Sequence, residues 1–194
     1  MQASQPNDFI TVVSGLPRSG TSMMMRMLDA GGIPGFTDND RIPDADNPNG
    51  YYEYEPIKKL NEDSSWMAGA VGHAIKAIYL LLYQLPKDFN YRIVFMRRNL
   101  DEVIASQDAM LRRSGAATGT MDRRVLARHF ETQLRQVDSW LRQQANMAVL
   151  DVPYAEAVRD PKATAVKVAA FLGGALDVDK MAASVDPALY RQRA

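Results

Sequence analysis

The sequence predicts an α/β fold in which helices cover both faces of a parallel sheet, giving three layers. Four short apolar runs show no alternation of polar and apolar residues, which is typical of strands buried on both faces. Segments with helical spacing separate these runs, as parallel strands require. A turn bracketed by Gly15 and Gly20 joins the first run to the first helix. The chain has 194 residues, the length of one typical domain, so we expect a single domain over residues 1–194.

The strand candidates are short and apolar, and the first is rich in β-branched residues. They cover residues 9–14, 74–78, 92–96 and 147–152. The helix candidates are residues 22–30, 56–61, 79–84, 100–113, 123–144, 161–172 and 178–185. Asp122 and Asp160 are predicted to begin two of these helices, because aspartate is favoured at the N-cap, and Pro161 stands at the first helical position. The connection over residues 32–56 has little periodicity, which favours a functional loop or disorder.

Charge and composition narrow the classes of function. The 23 basic and 23 acidic residues balance, so no overall field favours nucleic acid or a membrane as a partner. The absence of cysteine excludes disulfides and thiolate metal sites, and His73 and His129 are too few for a histidine-based metal centre without carboxylates. Residues 1–8 are polar and unlike a secretory signal, and the apolar stretch 74–85 is too short to span a bilayer. We therefore expect a soluble cytoplasmic protein.

Residues 15–22, Gly-Leu-Pro-Arg-Ser-Gly-Thr-Ser, are the most informative segment of the chain. A strand, a glycine-bracketed turn and a helix N-terminus form an anion site, because outward-pointing backbone N–H groups and the helix dipole both favour negative charge. Arg18 and the hydroxyls of Ser19, Thr21 and Ser22 add positive charge and donors. The segment therefore predicts a site for phosphate or sulfate. The alternative is an ordinary strand-to-helix turn with incidental polar residues.

This loop differs from that of nucleotide hydrolases, in which Lys and then Ser or Thr follow the second glycine. Here Thr21 follows Gly20, and the cation of the loop, Arg18, precedes that glycine by two residues. An ATP or GTP site is therefore disfavoured, and a P-loop phosphoryl transferase is kept as an alternative.

Three segments resemble the sulfotransferases that use 3′-phosphoadenosine 5′-phosphosulfate (PAPS). Residues 17–22 match that family's 5′-phosphosulfate loop, Pro-Lys/Arg-Ser-Gly-Thr-Thr/Ser. Residues 91–101, with Ser106 eight positions after Arg98, resemble the strand and helix that bind the 3′-phosphate. Residues 149–173 resemble the family's tyrosine-containing strand and the helices after it. The resemblance covers most of the chain and implies a parallel sheet flanked by helices, with a P-loop-like 5′-phosphosulfate loop.

The resemblance also implies roles for single residues. Arg18 would contact the 5′-phosphosulfate near its bridging oxygen, and the loop residues after it would supply backbone and hydroxyl donors. Those donors are Ser19, Gly20, Thr21 and Ser22. The implied product is adenosine 3′,5′-bisphosphate, and the resembled family needs no metal.

At the other end of the donor, Arg98 and Ser106 would hold the 3′-phosphate. Arg97 would substitute for Arg98 if the strand register shifted by one residue. Tyr154 would lie near the adenine. The alternatives are a small packing residue for Ser106 and buried aromatic packing for Tyr154.

The candidate base for the acceptor lies in residues 47–55, which carry two carboxylates among three tyrosines. Glu53 is the first choice and Glu55 the second, because alternate residues of an extended segment face the same side; His73 is the third. Lys76 interrupts an apolar strand, and because a buried lysine without a task is costly, we interpret it as a charge stabiliser at the sulfuryl group. The alternative for both glutamates is that they are exposed loop acids.

The leading hypothesis is the transfer of a sulfuryl group from PAPS to a hydroxyl or amine of a small molecule or carbohydrate. The alternative in another class is a non-catalytic nucleotide- or anion-binding module of the same fold. Larger members of the resembled family carry a glycine-rich basic C-terminal segment over the 3′-phosphate; Arg191 and Arg193 would replace part of it or form an ordinary basic tail. Neither nucleic acid nor a membrane is expected as a partner. The sequence leaves the acceptor and the oligomeric state open.

Overall fold

The computed structural model describes residues 8–38, 50–115 and 122–190. Four strands form one parallel sheet in the order β2-β1-β3-β4. They are β1 (Phe9–Gly15), β2 (Ala74–Ile78), β3 (Asn90–Arg97) and β4 (Met147–Pro153). All four strands were predicted from the sequence, β2 with its observed bounds and the others within two residues at each end. Part of the predicted long connection, residues 39–49, and the arginines at positions 191 and 193 lie outside the described residues.

Six α-helices flank the sheet in the described part of the chain. They are α1 (Thr21–Gly31), α2 (Leu100–Arg113), α3 (Arg123–Leu141), α4 (Tyr154–Arg159), α5 (Pro161–Leu172) and α6 (Val178–Ala183). Short 3-10 helices lie at Glu55–Lys59, Ser65–Ala70, Tyr79–Gln84 and Pro187–Leu189. The helices predicted at 56–61 and 79–84 are therefore 3-10 helices. Helix α4 was not predicted, because its six residues begin directly after β4 and are too few to show a helical period.

The helix starts follow from their capping residues. The Asp122 carboxylate accepts hydrogen bonds from the backbone N–H groups of the first turn of α3, and the Asp160 carboxylate accepts one from Ala163 N. Pro161 occupies the first turn of α5, where its missing N–H costs no helical hydrogen bond. Both predicted helix starts are thus confirmed.

Hydrophobic clusters cover both faces of the sheet. On one face, the β1 residue Val13 packs with α1, α5 and α6, and the residues fully buried there include Met24, Met27 and Met181. On the other face, Val12 packs with the first three 3-10 helices and with α3. This double coverage explains why β1 and β3 show no polar alternation. The expectation of burial on both faces is wrong for β4, an edge strand of the sheet that is largely exposed despite its apolar run. It also fixes α1 rigidly against the sheet, so that the loop before α1 has a defined position.

Candidate active site

A cleft of about 280 Å³ opens at the carboxyl ends of the strands, where open α/β sheets bind ligands. Its walls come from the loop after β1, from helix α1, from the segment before the first 3-10 helix, and from the ends of β2 and β3. The charged residues that line it are Arg18, Arg26, Glu53, Lys76 and Arg98.

The loop between β1 and α1 turns tightly and exposes the first amides of α1. Ser19 N donates to the carbonyl of Leu16 at 3.1 Å, and Arg18 adopts a left-handed backbone with φ of 72°. Gly20 is the N-cap of α1, with φ of 100° and no side chain that could cap the helix. The N–H groups of the first turn therefore lack an intrahelical acceptor, which suits an anion at this position.

The loop also depends on a close approach of backbone to backbone at Gly15. A Cβ on this residue would lie 2.5 Å from Ser19 Oγ and 2.7 Å from the carbonyl oxygen of Met96, and φ is 147°. The Met96 oxygen belongs to β3 and cannot move without disturbing the sheet. Glycine is therefore required where the loop leaves β1.

We expect Gly15→Ala to lower the free energy of unfolding by about 2–6 kcal/mol, since backbone strain and overpacking each cost roughly 1–3 kcal/mol. The matched control is Gly32→Ala. Gly32 has φ of 106°, but a Cβ there would meet no heavy atom within 4 Å, so only backbone strain applies. Urea unfolding of both variants measures the difference. Equal losses would contradict a steric role for the Met96 carbonyl.

Two residues outside the loop form hydrogen bonds with Arg18. Its Nε donates to the buried Ser106 Oγ at 3.0 Å, and its backbone carbonyl accepts a hydrogen bond from Arg98 Nη1 at 3.0 Å. Helix α2 thus fixes the direction of the side chain, and Arg98 fixes the backbone.

Arg98 is buried among aromatic and acidic groups. Its Nε donates to Glu102 Oε2 at 2.8 Å, and the side chains of this pair are 8% and 6% exposed. The guanidinium carbon lies 4.5 Å from the Tyr154 ring centroid and 5.3 Å from that of Tyr190. Tyr190 donates its hydroxyl to Glu102 Oε1 at 2.7 Å. Burial, together with this contact to Glu102, raises the pKa of Tyr190.

The predicted pair Arg98 and Ser106 is therefore arranged around Arg18: Ser106 contacts its guanidinium and Arg98 contacts its carbonyl. Arg97, the substitute considered for Arg98, points elsewhere, because its guanidinium pairs with Asp138 and Asp151. A common contact of Arg98 and Ser106 with a 3′-phosphate stays a prediction.

Tyr154 packs tightly on the loop. A Cβ on Gly20 would lie 2.4 Å from Cδ2 of the Tyr154 ring, and Tyr154 is 5% exposed. Its ring therefore lies between the N-cap of α1 and the Arg98 guanidinium. This arrangement agrees with the alternative of buried aromatic packing, and contact with adenine stays a prediction.

Lys76 and Glu53 form an ion pair in the cleft. Lys76 Nζ lies 3.3 Å from Glu53 Oε1 and 3.4 Å from Ser22 Oγ, and it also donates to the carbonyl of Tyr51. The two side chains of the ion pair are 12% and 22% exposed. Thr37 Oγ1 donates to the Glu53 carbonyl at 2.7 Å and so fixes the acidic segment. The lysine that interrupts β2 therefore links the anion loop to a carboxylate.

The expectation that Glu53 and Glu55 face the same side is wrong. Glu55 pairs with Lys58, its side chain is 51% exposed, and it does not line the cleft. The reason is that a 3-10 helix begins at Glu55, which ends the extended alternation on which the expectation rested. His73 is also displaced, because it directly precedes β2 at the amino end of that strand, whereas the cleft lies at the carboxyl end.

Sequence reasoning missed Arg26, which lines the cleft from α1. It stands four residues after Ser22, so the two side chains share one face of the helix. The spacing of four residues from Ser22 was the signal in the sequence that could have placed Arg26 beside the anion loop. Its Nε is buried and has no hydrogen-bond partner in the described ranges.

Across residues 8–38, 50–115 and 122–190, no three His, Cys, Asp or Glu side chains are grouped so that they could hold a metal ion. None of the helices in those same ranges combines the length and apolar character needed to cross a membrane.

Comparison with known proteins identifies one family. A family model described as "Sulfotransferase family" matches residues 52–177, more than half of the chain. A search of curated proteins finds no significant match. Among solved structures, a sulfotransferase domain from the olefin synthase of Synechococcus PCC 7002 has a TM-score of 0.53 and 16% identity, covering 95% of this chain and 82% of that one.

Two further solved structures have the same fold. A sulfotransferase domain from the curacin biosynthetic pathway has a TM-score of 0.50 and 14% identity, covering 93% of this chain and 88% of that one. A sulfotransferase from Alicyclobacillus acidocaldarius has a TM-score of 0.50 and 18% identity, covering 96% and 89%. These likenesses confirm the predicted fold class, a parallel sheet flanked by helices.

Proposed function

The chain belongs to the sulfotransferase family, and from this premise we propose that it transfers a sulfuryl group from PAPS to a hydroxyl or amine of a small molecule or carbohydrate. One observation carries the proposal. The uncapped N-terminus of α1 and the Lys76–Glu53 ion pair meet in one cleft, joined through Ser22. An anion-binding loop next to a carboxylate is what a transfer from an anionic donor to a protic acceptor needs.

The residues of the loop fit the phosphosulfate end of PAPS. Ser19 Oγ is buried without a hydrogen-bond partner in the described residues, and Gly20 leaves the first turn of α1 uncapped. Arg18 adds a guanidinium, whose planar fork of donors suits oxyanions. Ser19, Gly20, Thr21 and Ser22 would therefore hold the donor together with Arg18.

When bound, PAPS would supply the activated sulfuryl group. The acceptor would bond to sulfur as the sulfur–oxygen bond to the 5′-phosphate breaks, and adenosine 3′,5′-bisphosphate would leave with the electron pair. Glu53 accepts the proton that the acceptor loses. Lys76 lies beside Ser22, one of the residues proposed to hold the phosphosulfate, and would stabilise negative charge on the sulfuryl oxygens. Arg18 neutralises the charge on the leaving phosphate.

Isothermal titration with adenosine 3′,5′-bisphosphate tests the donor site directly. We expect binding by the wild type, and an affinity about 10- to 150-fold lower for Arg18→Ala, because a charge-assisted hydrogen bond contributes roughly 1.5–3 kcal/mol. Arg128→Ala is the matched control, since Arg128 lies on α3 and does not line the cleft. Unchanged affinity in a folded Arg18→Ala protein would contradict the assignment.

A screen of phenols, alcohols, amines and sugars for release of adenosine 3′,5′-bisphosphate from PAPS tests turnover. Release that depends on an acceptor would support the proposal. Binding of the bisphosphate with no turnover on any acceptor would favour a non-catalytic binding module instead.

A further inference from the structure

Arg26 is a cation in the cleft for which the proposed chemistry has no use. It is half-buried, and its Nε is buried without a hydrogen-bond partner among the described residues. It takes part in none of the ion pairs found in that part of the chain. An unsatisfied buried donor is costly, so the contacts of Arg26 within the described residues do not explain why an arginine lines this cleft.

Arg26 does not serve the packing of its helix. The neighbouring residues Met24, Met25 and Met27 are fully buried against the sheet, whereas Arg26 lies on the cleft side of α1. It stands one turn beyond Ser22, about 6 Å farther along the helix from the anion loop. Its backbone position is therefore one turn farther along α1 than the loop residues assigned to the donor.

The other cations of the cleft have acidic partners or an assigned anion. Arg98 is paired with Glu102, and Lys76 with Glu53. Arg18 belongs to the loop that would hold the phosphosulfate. Arg26 thus adds a positive charge, with no anion assigned to it, to the same cleft as Glu53, the proposed base.

The neighbourhood of Arg26 is polar as well as charged. Burial is the main cause that raises the pKa of the Tyr52 hydroxyl, and the negative charge of Asp29 is a smaller one. The positive charge of Arg26 opposes this rise. Tyr51 also lines the cleft, on the segment that carries Glu53. An anion bound by Arg26 would therefore lie close to the segment that supplies the base.

We propose that Arg26 binds an anionic group of the acceptor, so that the acceptor is a hydroxy acid carrying a carboxylate or a similar oxyanion. This inference rests on the proposed function. A guanidinium can bind a carboxylate through two parallel hydrogen bonds, which would also orient the acceptor. The hydroxyl that is to be sulfated would then face Glu53.

The test compares acceptors that differ only in their charge. Wild-type protein is titrated with three pairs, each an acid and its neutral partner: 4-hydroxybenzoate with its methyl ester, 3-hydroxybutyrate with its ethyl ester, and glucuronate with glucose. Each titration is done with and without adenosine 3′,5′-bisphosphate. We expect at least one acid to bind about 10- to 100-fold more tightly than its neutral partner, as a charge-assisted hydrogen bond would give. Arg26→Gln should abolish this preference, Arg26→Lys should keep part of it, and the control Arg128→Gln should keep all of it.

Three results would overturn the role of Arg26: no acid preferred to its neutral partner, a preference that survives Arg26→Gln, or a loss of bisphosphate affinity in Arg26→Gln as large as in Arg18→Ala. The last would place Arg26 on the donor. Failure of the proposed function would show in other measurements: the wild type would not bind the bisphosphate, or it would release none from PAPS with any acceptor. An Arg26-dependent preference for acids could persist in either case.

Discussion

Replacing Glu53 with glutamine is expected to lower turnover by about 10²- to 10⁴-fold, the usual contribution of a general base. Glutamine keeps the size of the side chain and an oxygen that can accept a hydrogen bond from Lys76 Nζ, which lies 3.3 Å from Glu53 Oε1. It cannot accept the proton of the acceptor. Because the anion loop is unaffected, affinity for adenosine 3′,5′-bisphosphate should stay close to wild type.

Glu55→Gln is the matched control, since it makes the same chemical change two residues away on a carboxylate that pairs with Lys58 outside the cleft. Its turnover should resemble that of the wild type. Steady-state rates with any acceptor from the screen, together with bisphosphate titrations, separate catalysis from binding. Full activity in Glu53→Gln would remove Glu53 from the role of base.

Arg98→Ala is expected to lower the free energy of unfolding by about 3–5 kcal/mol, because breaking a buried ion pair on one side only leaves a charge in a medium of low polarity. The charge left behind is the Glu102 carboxylate, whose side chain is 6% exposed. The substitution also removes the group on which the Tyr154 and Tyr190 rings pack. Urea unfolding measures the loss.

The double variant Arg98→Met/Glu102→Gln should recover most of that stability, because methionine fills the space between the rings and no charge is left behind. In this folded background the contact with the 3′-phosphate can be tested. Affinity for adenosine 3′,5′-bisphosphate should fall about 10- to 100-fold more than affinity for adenosine 5′-phosphate. Equal losses would show that Arg98 supports the structure alone.

The fold was predictable because its main signals are local. Each of the central strands β1 and β3 is buried on both faces, so its apolar run stands out in the sequence, and aspartates mark the starts of α3 and α5. The loop between β1 and α1 was equally predictable, since Gly15 and Gly20 both occupy backbone conformations that favour glycine. The strands, the helix starts and the loop each depend on residues close together in the sequence, so the sequence alone indicates them.

The arrangement of the site was less predictable because it depends on tertiary contacts. The contact of Ser106 with Arg18 joins residues 88 positions apart, and nothing near Ser106 in the sequence indicates it. Glu102 looks like an ordinary first-turn acid of α2, yet it becomes the buried partner of Arg98. The different directions of Glu53 and Glu55 follow from where a 3-10 helix begins, which the apolar pattern does not reveal.

The hydrogen bond from Arg98 Nη1 to the carbonyl of Arg18 couples the recognition of the two ends of the donor. The residue proposed to recognise the nucleotide also sets the backbone of the residue proposed to hold the group that is transferred. Substitutions at the two positions share a contact, so their free-energy changes should not add. Engineering this scaffold to accept a donor with a different 3′ substituent would therefore require redesign of the transfer loop in the same step.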